Sequence, residues 1–180
     1  MKKYDEVIVK NILSKCTCHI LDDYIAFGKK IYKHSKNIDE IHQKIQNKFF
    51  DWIEARSDLL PEWVNYIKQN NWGVAGVLKS DHILATKIPA QTVKYFQAHE
   101  KNKHRKYYCH CPRIRVFLEQ SMEKIDPIYC YCGAGFYKAL WEGILEQSLE
   151  VEVIKSLLQG DEICQIKINL PKNLRKSTLD

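Results

Sequence analysis

Six of the seven cysteines in this 180-residue chain fall in three Cys-x-Cys pairs: Cys16/Cys18, Cys109/Cys111 and Cys130/Cys132. The seventh is Cys164. Thiolates are soft donors suited to zinc or iron–sulfur clusters, and zinc closes a tetrahedral site with four of them or with His substituting. Cys109, Cys111, Cys130, Cys132 and Cys164 are concentrated in one stretch, beside Pro112 and Gly133, which supply turns. That concentration predicts a metal site on Cys109, Cys111, Cys132 and Cys164, with Cys130 competing for one place. Structural zinc is the expected ion, and an iron–sulfur cluster is the alternative for the same thiolates. His110 is either a further donor or an exposed side chain. His19, beside Cys18, would extend an N-terminal site, although Cys16 and Cys18 also suit the core, where free Cys packs as a small hydrophobe. Disulfides are disfavoured, because the N-terminus reads as no secretory signal and a Cys-x-Cys bridge is strained.

The elements that must position these thiols follow from periodicity. Ile20, Tyr24, Phe27 and Ile31 recur at helical spacing, and so do Ile41, Ile45, Phe49 and Trp52/Ile53, entered after Asn37 or Asp39 as a cap. A shorter helix covers Glu62 to Lys68, punctuation follows at Asn70-Asn71-Trp72-Gly73, and Ala90 to Lys101 predicts one further helix. Beyond Lys106 come a helical pattern in Ile114, Phe117, Leu118 and Met122, and an amphipathic helix from Phe136 to Gln147. Val151 and Val153 alternate with charges at strand period, Gln159-Gly160-Asp161-Glu162 is a turn, and Ile163 to Leu170 is a second strand. The expected fold is α+β: an antiparallel hairpin-based sheet in the C-terminal half, covered by helices from the N-terminal half. Residues 1–105 read as a helical wrapping region, 106–171 as the cysteine-rich helix-strand-strand core of the same domain, and 172–180 as a basic tail.

Composition limits the function classes. Hydrophobic residues make up 45% and charged residues 28%, with no apolar run long enough for a transmembrane helix. A cytoplasmic protein with no membrane partner is expected. The net charge of +6 is local, in Lys101/Lys103/Arg105/Lys106 and in Lys172/Arg175/Lys176. A solvated loop and a mobile tail explain such runs better than a nucleic-acid footprint does. No phosphate loop, dinucleotide fingerprint, His-Glu-x-x-His or nucleophile elbow is present.

The segments Cys132-Gly133-Ala134-Gly135-Phe136-Tyr137-Lys138, Val151-Glu152-Val153 and Gly160-Asp161-Glu162-Ile163-Cys164 resemble the C-terminal half of the vinyl-reductase-type small-molecule-binding domains, which include the phenol-sensing input domains of bacterial activators. The resemblance covers residues 130–170. It implies cysteines and an acid holding structural zinc beside a hydrophobic ligand pocket. Cys132 and Cys164 match that pattern. Ser156 stands where the family has its strand cysteine, and Val153 where it has its acid, with Glu152 one residue away. Cys109 and Cys111 would supply the missing thiolates. The whole Cys-x-Cys-Pro and Cys-x-Cys-Gly run is also similar to an uncharacterised bacterial family.

These readings predict a small-molecule-binding domain with a cysteine-ligated metal beside an apolar pocket. Its ligand would be small and apolar or aromatic, contacted by Phe136, Tyr137 and Trp141, and a homodimer is open. Whether the protein is an enzyme is undecided, and no catalytic residue is assigned. Lys138 and Glu142 at i, i+4 read as a surface ion pair before an acid/base pair. The alternatives are a thiol-dependent hydrolase of a small amide or thiazoline-like substrate, and an iron–sulfur redox or sensor protein. A weaker likeness to small amide- or thiazoline-hydrolase families, through the same Gly-Asp-x-x-Cys ending, supports the former.

Overall fold

A computed structural model describes residues 5–17, 19–120 and 125–175. Four helices lead: α1 (Glu6–Leu13), α2 (Asp22–Ser35), α3 (Ile38–Glu54) and α4 (Pro61–Gln69). Two strands follow, β1 (Val77–Leu78) and β2 (His82–Thr86), then α5 (Thr92–Gln97), α6 (Lys101–Tyr108) and α7 (Pro112–Gln120). A 3-10 turn at Pro127–Cys130 runs into α8 (Tyr131–Leu145), and β3 (Val151–Lys155) and β4 (Gln165–Asn169) complete the sheet. The four strands are antiparallel in the order β1-β2-β4-β3. The fold is therefore α+β, with β3 and β4 adjacent as the period-2 alternation predicts.

The stripe expected in α3 forms, whereas that of α2 is shifted: Ile20 and Phe27 are exposed, and Ile25 and Tyr32 pack on the core beside Tyr24 and Ile31. In α3, Ile38, Ile41, Ile45, Phe49 and Ile53 are buried along one face. Asn37 caps the helix, its side chain accepting from the amides of Asp39 and Glu40. α8 packs against α2 and the sheet. Ala134, Leu140, Trp141, Ile144 and Leu145 of α8 are buried with Ile83, Ile166 and Ile168 of the sheet. Glycines let α2 and α8 approach: a Cβ on Gly28 would lie 2.8 Å from Ile144 Cδ1, and one on Gly143 would lie 2.8 Å from Ile25 Cγ2. A second core gathers Phe49, Ile53, Ile67, Trp72, Tyr95, Tyr108 and Leu157.

Three expectations need correction. Residues 1–105 are not purely helical, since β1 and β2 come from them and β2 is an interior strand beside β4. The apolar run Ile83-Leu84-Ala85 is too short to tell strand from helix by period. Its pairing with β4 decides, placing Ile83 opposite Ile168 and Ala85 opposite Ile166. The single helix expected over Ala90 to Lys101 is two helices, because Ala98 is extended (φ −77°, ψ 138°). The basic cluster at Lys101–Lys106 is helix α6 and not a loop. Met122, Cys18 and Lys176 lie outside the described residues.

The sheet role of β2 is testable. Ile83 is fully buried, so Ile83→Ala should cost about 2–5 kcal/mol of unfolding free energy in urea titrations. A wrapping segment outside the core would lose less than about 0.5 kcal/mol.

Candidate functional site

The C-terminal end of β2 and the N-terminal end of β4 are tied together by one buried side chain. Lys87 N–H donates to the Cys164 carbonyl at 3.0 Å, extending the β2–β4 ladder by one rung. Tyr108, 0% exposed at the end of α6, sets its hydroxyl between the same residues. It donates to the Lys87 carbonyl at 2.6 Å and accepts from Cys164 N–H at 3.1 Å. Burial raises the Tyr108 pKa, which keeps the phenol protonated as a donor. Arg105, one turn earlier, grips the next loop. Its guanidinium donates to the carbonyls of Leu157 (2.5 Å), Gly160 (3.3 Å) and Asp161 (3.2 Å). The Asp161 carboxylate accepts from Ser156 N–H at 2.9 Å, and Gly160 supplies the left-handed residue (φ 98°) of the predicted turn.

This frame borders a cavity of about 520 Å³ lined by Cys109, Cys111, Cys130, Cys132 and Cys164. Phe136 and Tyr137 line it too, and His19 stacks on Phe136 with centroids 6.4 Å apart. Leu21, Tyr24, Phe49, Trp52 and Val74 complete the apolar end. Trp141 does not line the cavity: it is fully buried in the core, stacked on His42 at 6.4 Å. Its i, i+4 spacing from Tyr137 puts both on one side of α8, but one turn further along, under α3. Lys138 and Glu142 lie away from the cavity as well. They form a 3.8 Å ion pair, and Glu142 accepts from Leu149 N–H at 2.8 Å, which closes the C-terminal end of α8.

The thiols differ in their surroundings. Cys109, Cys111, Cys130 and Cys164 feel one another electrostatically around a closed circuit: 109 with 111 and 164, and 130 with 111 and 164. Cys132 also lines the cavity and donates its thiol to the Cys16 carbonyl at 2.8 Å, so the Cys130 and Cys132 side chains part. The split follows from helix geometry. Cys130 ends the 3-10 turn and Cys132 opens α8, so residues i and i+2 splay to different sides, as they would not on a strand. Cys109 and Cys111 flank the joint between α6 and α7, where Arg115 N–H to the Cys111 carbonyl (3.0 Å) starts the second helix.

Burial pushes the Cys109 thiol up to about 12 and also raises Cys130 and Cys164, against the lowering charge of Lys87. His110 lies at the exposed edge with Nε2 2.8 Å from the Ile88 carbonyl. Desolvation of its ring and then the Lys87 charge lower its pKa. A carbonyl only accepts, so the neutral ring carries its proton on Nε2 and leaves the Nδ1 lone pair available. Ser156, which the resemblance sets against a strand cysteine, is fully buried and hydrogen-bonded to Gln159. Glu152 faces the other side of the sheet, paired with Lys167 at 3.1 Å and Asn169 at 3.0 Å.

Four thiols and an imidazole nitrogen are a suitable donor set for zinc. Among the described residues, however, no three His, Cys, Asp or Glu side chains converge closely enough to hold an ion. Binding would require these side chains to close on a common point. Sequence reasoning passed over Lys87, Tyr108 and Arg105. Lys87 carries a weak signal, as a lone charge ending the apolar run Ile83-Leu84-Ala85. Tyr108 and Arg105 carry none, since their partners lie 21 to 56 residues away in the chain.

No helix among the described residues is long and apolar enough to cross a membrane. No curated protein and no solved structure matches the chain. A family model does, over residues 80–175, which include β2, all five cavity cysteines and Lys87.

Tyr108→Phe should cost about 1–3 kcal/mol in urea denaturation, because it leaves the Lys87 carbonyl and the Cys164 amide unpaired. The thiols make a second prediction. Between the ordinary Cys109 value of 9.0 and its folded value of about 12, the folded protein holds a proton that the unfolded chain releases. Stability is thus fully present below that window and falls as pH rises through it. Thermal melting in a pH series should show this loss, with a shallower slope in Cys109→Ser.

Proposed function

The chain belongs to DUF6144, a family of unknown function, and we propose that it binds a small molecule in the cavity bounded by β2, β4, α8 and the α6–α7 joint. One observation carries the reading: a cavity of about 520 Å³, within the usual range for ligand pockets, is apolar at one end and lined by thiols, an imidazole and an ammonium at the other. A few convergent polar groups in an apolar hollow are what orient a small ligand.

A second reading concerns the thiols. The gathering of Cys109, Cys111, Cys130, Cys132 and Cys164 around one cavity favours a thiophilic cation, zinc before an iron–sulfur cluster, held by four of these thiols. Bound thiolates would find a counter-charge in Lys87. Zinc binding releases thiol protons, so its affinity would rise with pH. The raised pKa values of Cys109, Cys130 and Cys164 weigh against these three as hydrolase nucleophiles, because a nucleophilic cysteine needs its thiolate near neutral pH.

Two measurements on the purified protein test this. The neutral fluorophore phenylnaphthylamine should bind saturably with one site per chain, and absence of binding overturns the cavity reading. Zinc, iron and acid-labile sulfide per chain should give about one zinc, lost in both Cys109→Ser and Cys164→Ser. No metal, or metal retained in both variants, overturns the metal reading and leaves the cavity reading standing.

A further inference from the structure

The cavity has a one-sided charge. Its lining holds Lys87 and Lys155 with His19 and His110, and among the described residues no aspartate or glutamate. Lys87 is the inner of the two lysines: it is partly buried, whereas Lys155 is exposed. No carboxylate among the described residues lies within ion-pairing distance of Lys87. A Cβ on Gly133 would fall 2.4 Å from Lys87 Nζ, so the ammonium rests against the first turn of α8. That turn has no side-chain cap. A cation there faces the positive end of the helix dipole, an arrangement that favours a joining anion. Outside the lining, Arg115 Nε is buried without a partner, while an Nη of the same guanidinium reaches the His110 carbonyl at 3.4 Å. A partly buried ammonium is costly unless an anion answers it.

We propose that the ligand is an organic anion with an apolar body, a carboxylate whose oxygens pair with Lys87 Nζ. Its body lies along Leu21, Tyr24, Val74 and Phe136. The ammonium sets which end of the ligand faces α8, and the apolar end sets its size. This inference rests on the cavity being a ligand site. It competes with the metal reading, in which thiolates would take up the same ammonium.

The test is displacement of phenylnaphthylamine by decanoate and by decanol at neutral pH, where the two competitors differ in head-group charge. Decanoate should displace the fluorophore at about tenfold lower concentration than decanol, the effect of one charge-assisted hydrogen bond. Lys87→Gln should bring the ratio to about one, Lys87→Arg should keep it, and Lys155→Gln should leave it in place. Equal displacement by the two in the native protein overturns the proposal, whatever the variants do. So does a preference that vanishes in Lys155→Gln and not in Lys87→Gln. Failure of the fluorophore itself to bind removes the cavity reading beneath it, which separates the two failures.

Discussion

The Tyr108 hydroxyl is the contact on which the arrangement of the cavity's polar end depends. It is buried, and it bonds at once to the carbonyl of Lys87 and to the amide of Cys164. Through it the end of α6, the end of β2 and the start of β4 meet at one point. Each carries a cavity residue at or next to that contact: Cys109, Lys87 and Cys164. The backbone adds two bonds from the other side, Ala90 N–H to the Tyr108 carbonyl and Gln91 N–H to the Tyr107 carbonyl. A buried phenol that both donates and accepts cannot slide without leaving two backbone groups unpaired, which is why a single oxygen can hold three segments in register.

Around that point the molecule has two hydrophobic cores, and the cavity lies where they meet. Val74, Tyr137, Val153 and Ile166 come from or pack on the core between α3, α8 and the sheet. Phe49, Tyr108, Leu157 and Cys164 come from or pack on the aromatic core around Trp72 and Tyr95. Two surfaces packed at different angles leave space at their seam, and here the seam is closed by polar groups from chain ends and not by a side chain that fills it. The N-terminal turn of α8 forms one wall. Its glycines make it approachable on two sides: Gly133 by the Lys87 ammonium, and Gly135 by the backbone carbonyl of Ser14.

The charge pattern separates this cavity from the surface. On the surface, lysines find acids: Lys10 with Glu6, Lys29 with Glu146, Lys44 with Glu40 and Lys167 with Glu152. Such pairs add little, because water screens them. Inside the cavity the same residue type faces thiols and rings, where screening is weaker and an unanswered charge has a larger effect. The basic excess that composition reports as +6 is thus less informative than the position of one lysine.

By itself, the sequence determined the helical stripe of α3, the two C-terminal strands with their Gly160 turn, and the concentration of five thiols in one region. Each is a local property, set by side-chain period, by the backbone freedom of glycine, or by residue type. Only the tertiary structure decided that Ile83-Leu84-Ala85 is an interior strand, because a short apolar run takes its form from the strand beside it. It also decided that the Cys132 thiol meets the Cys16 carbonyl, because the Cys130/Cys132 pair falls on a helix start and not on a strand. And it placed Lys87 over Gly133 and Tyr108 between two strand ends. Those contacts join residues far apart in the chain, and no spacing along a sequence encodes which distant backbone a side chain will meet.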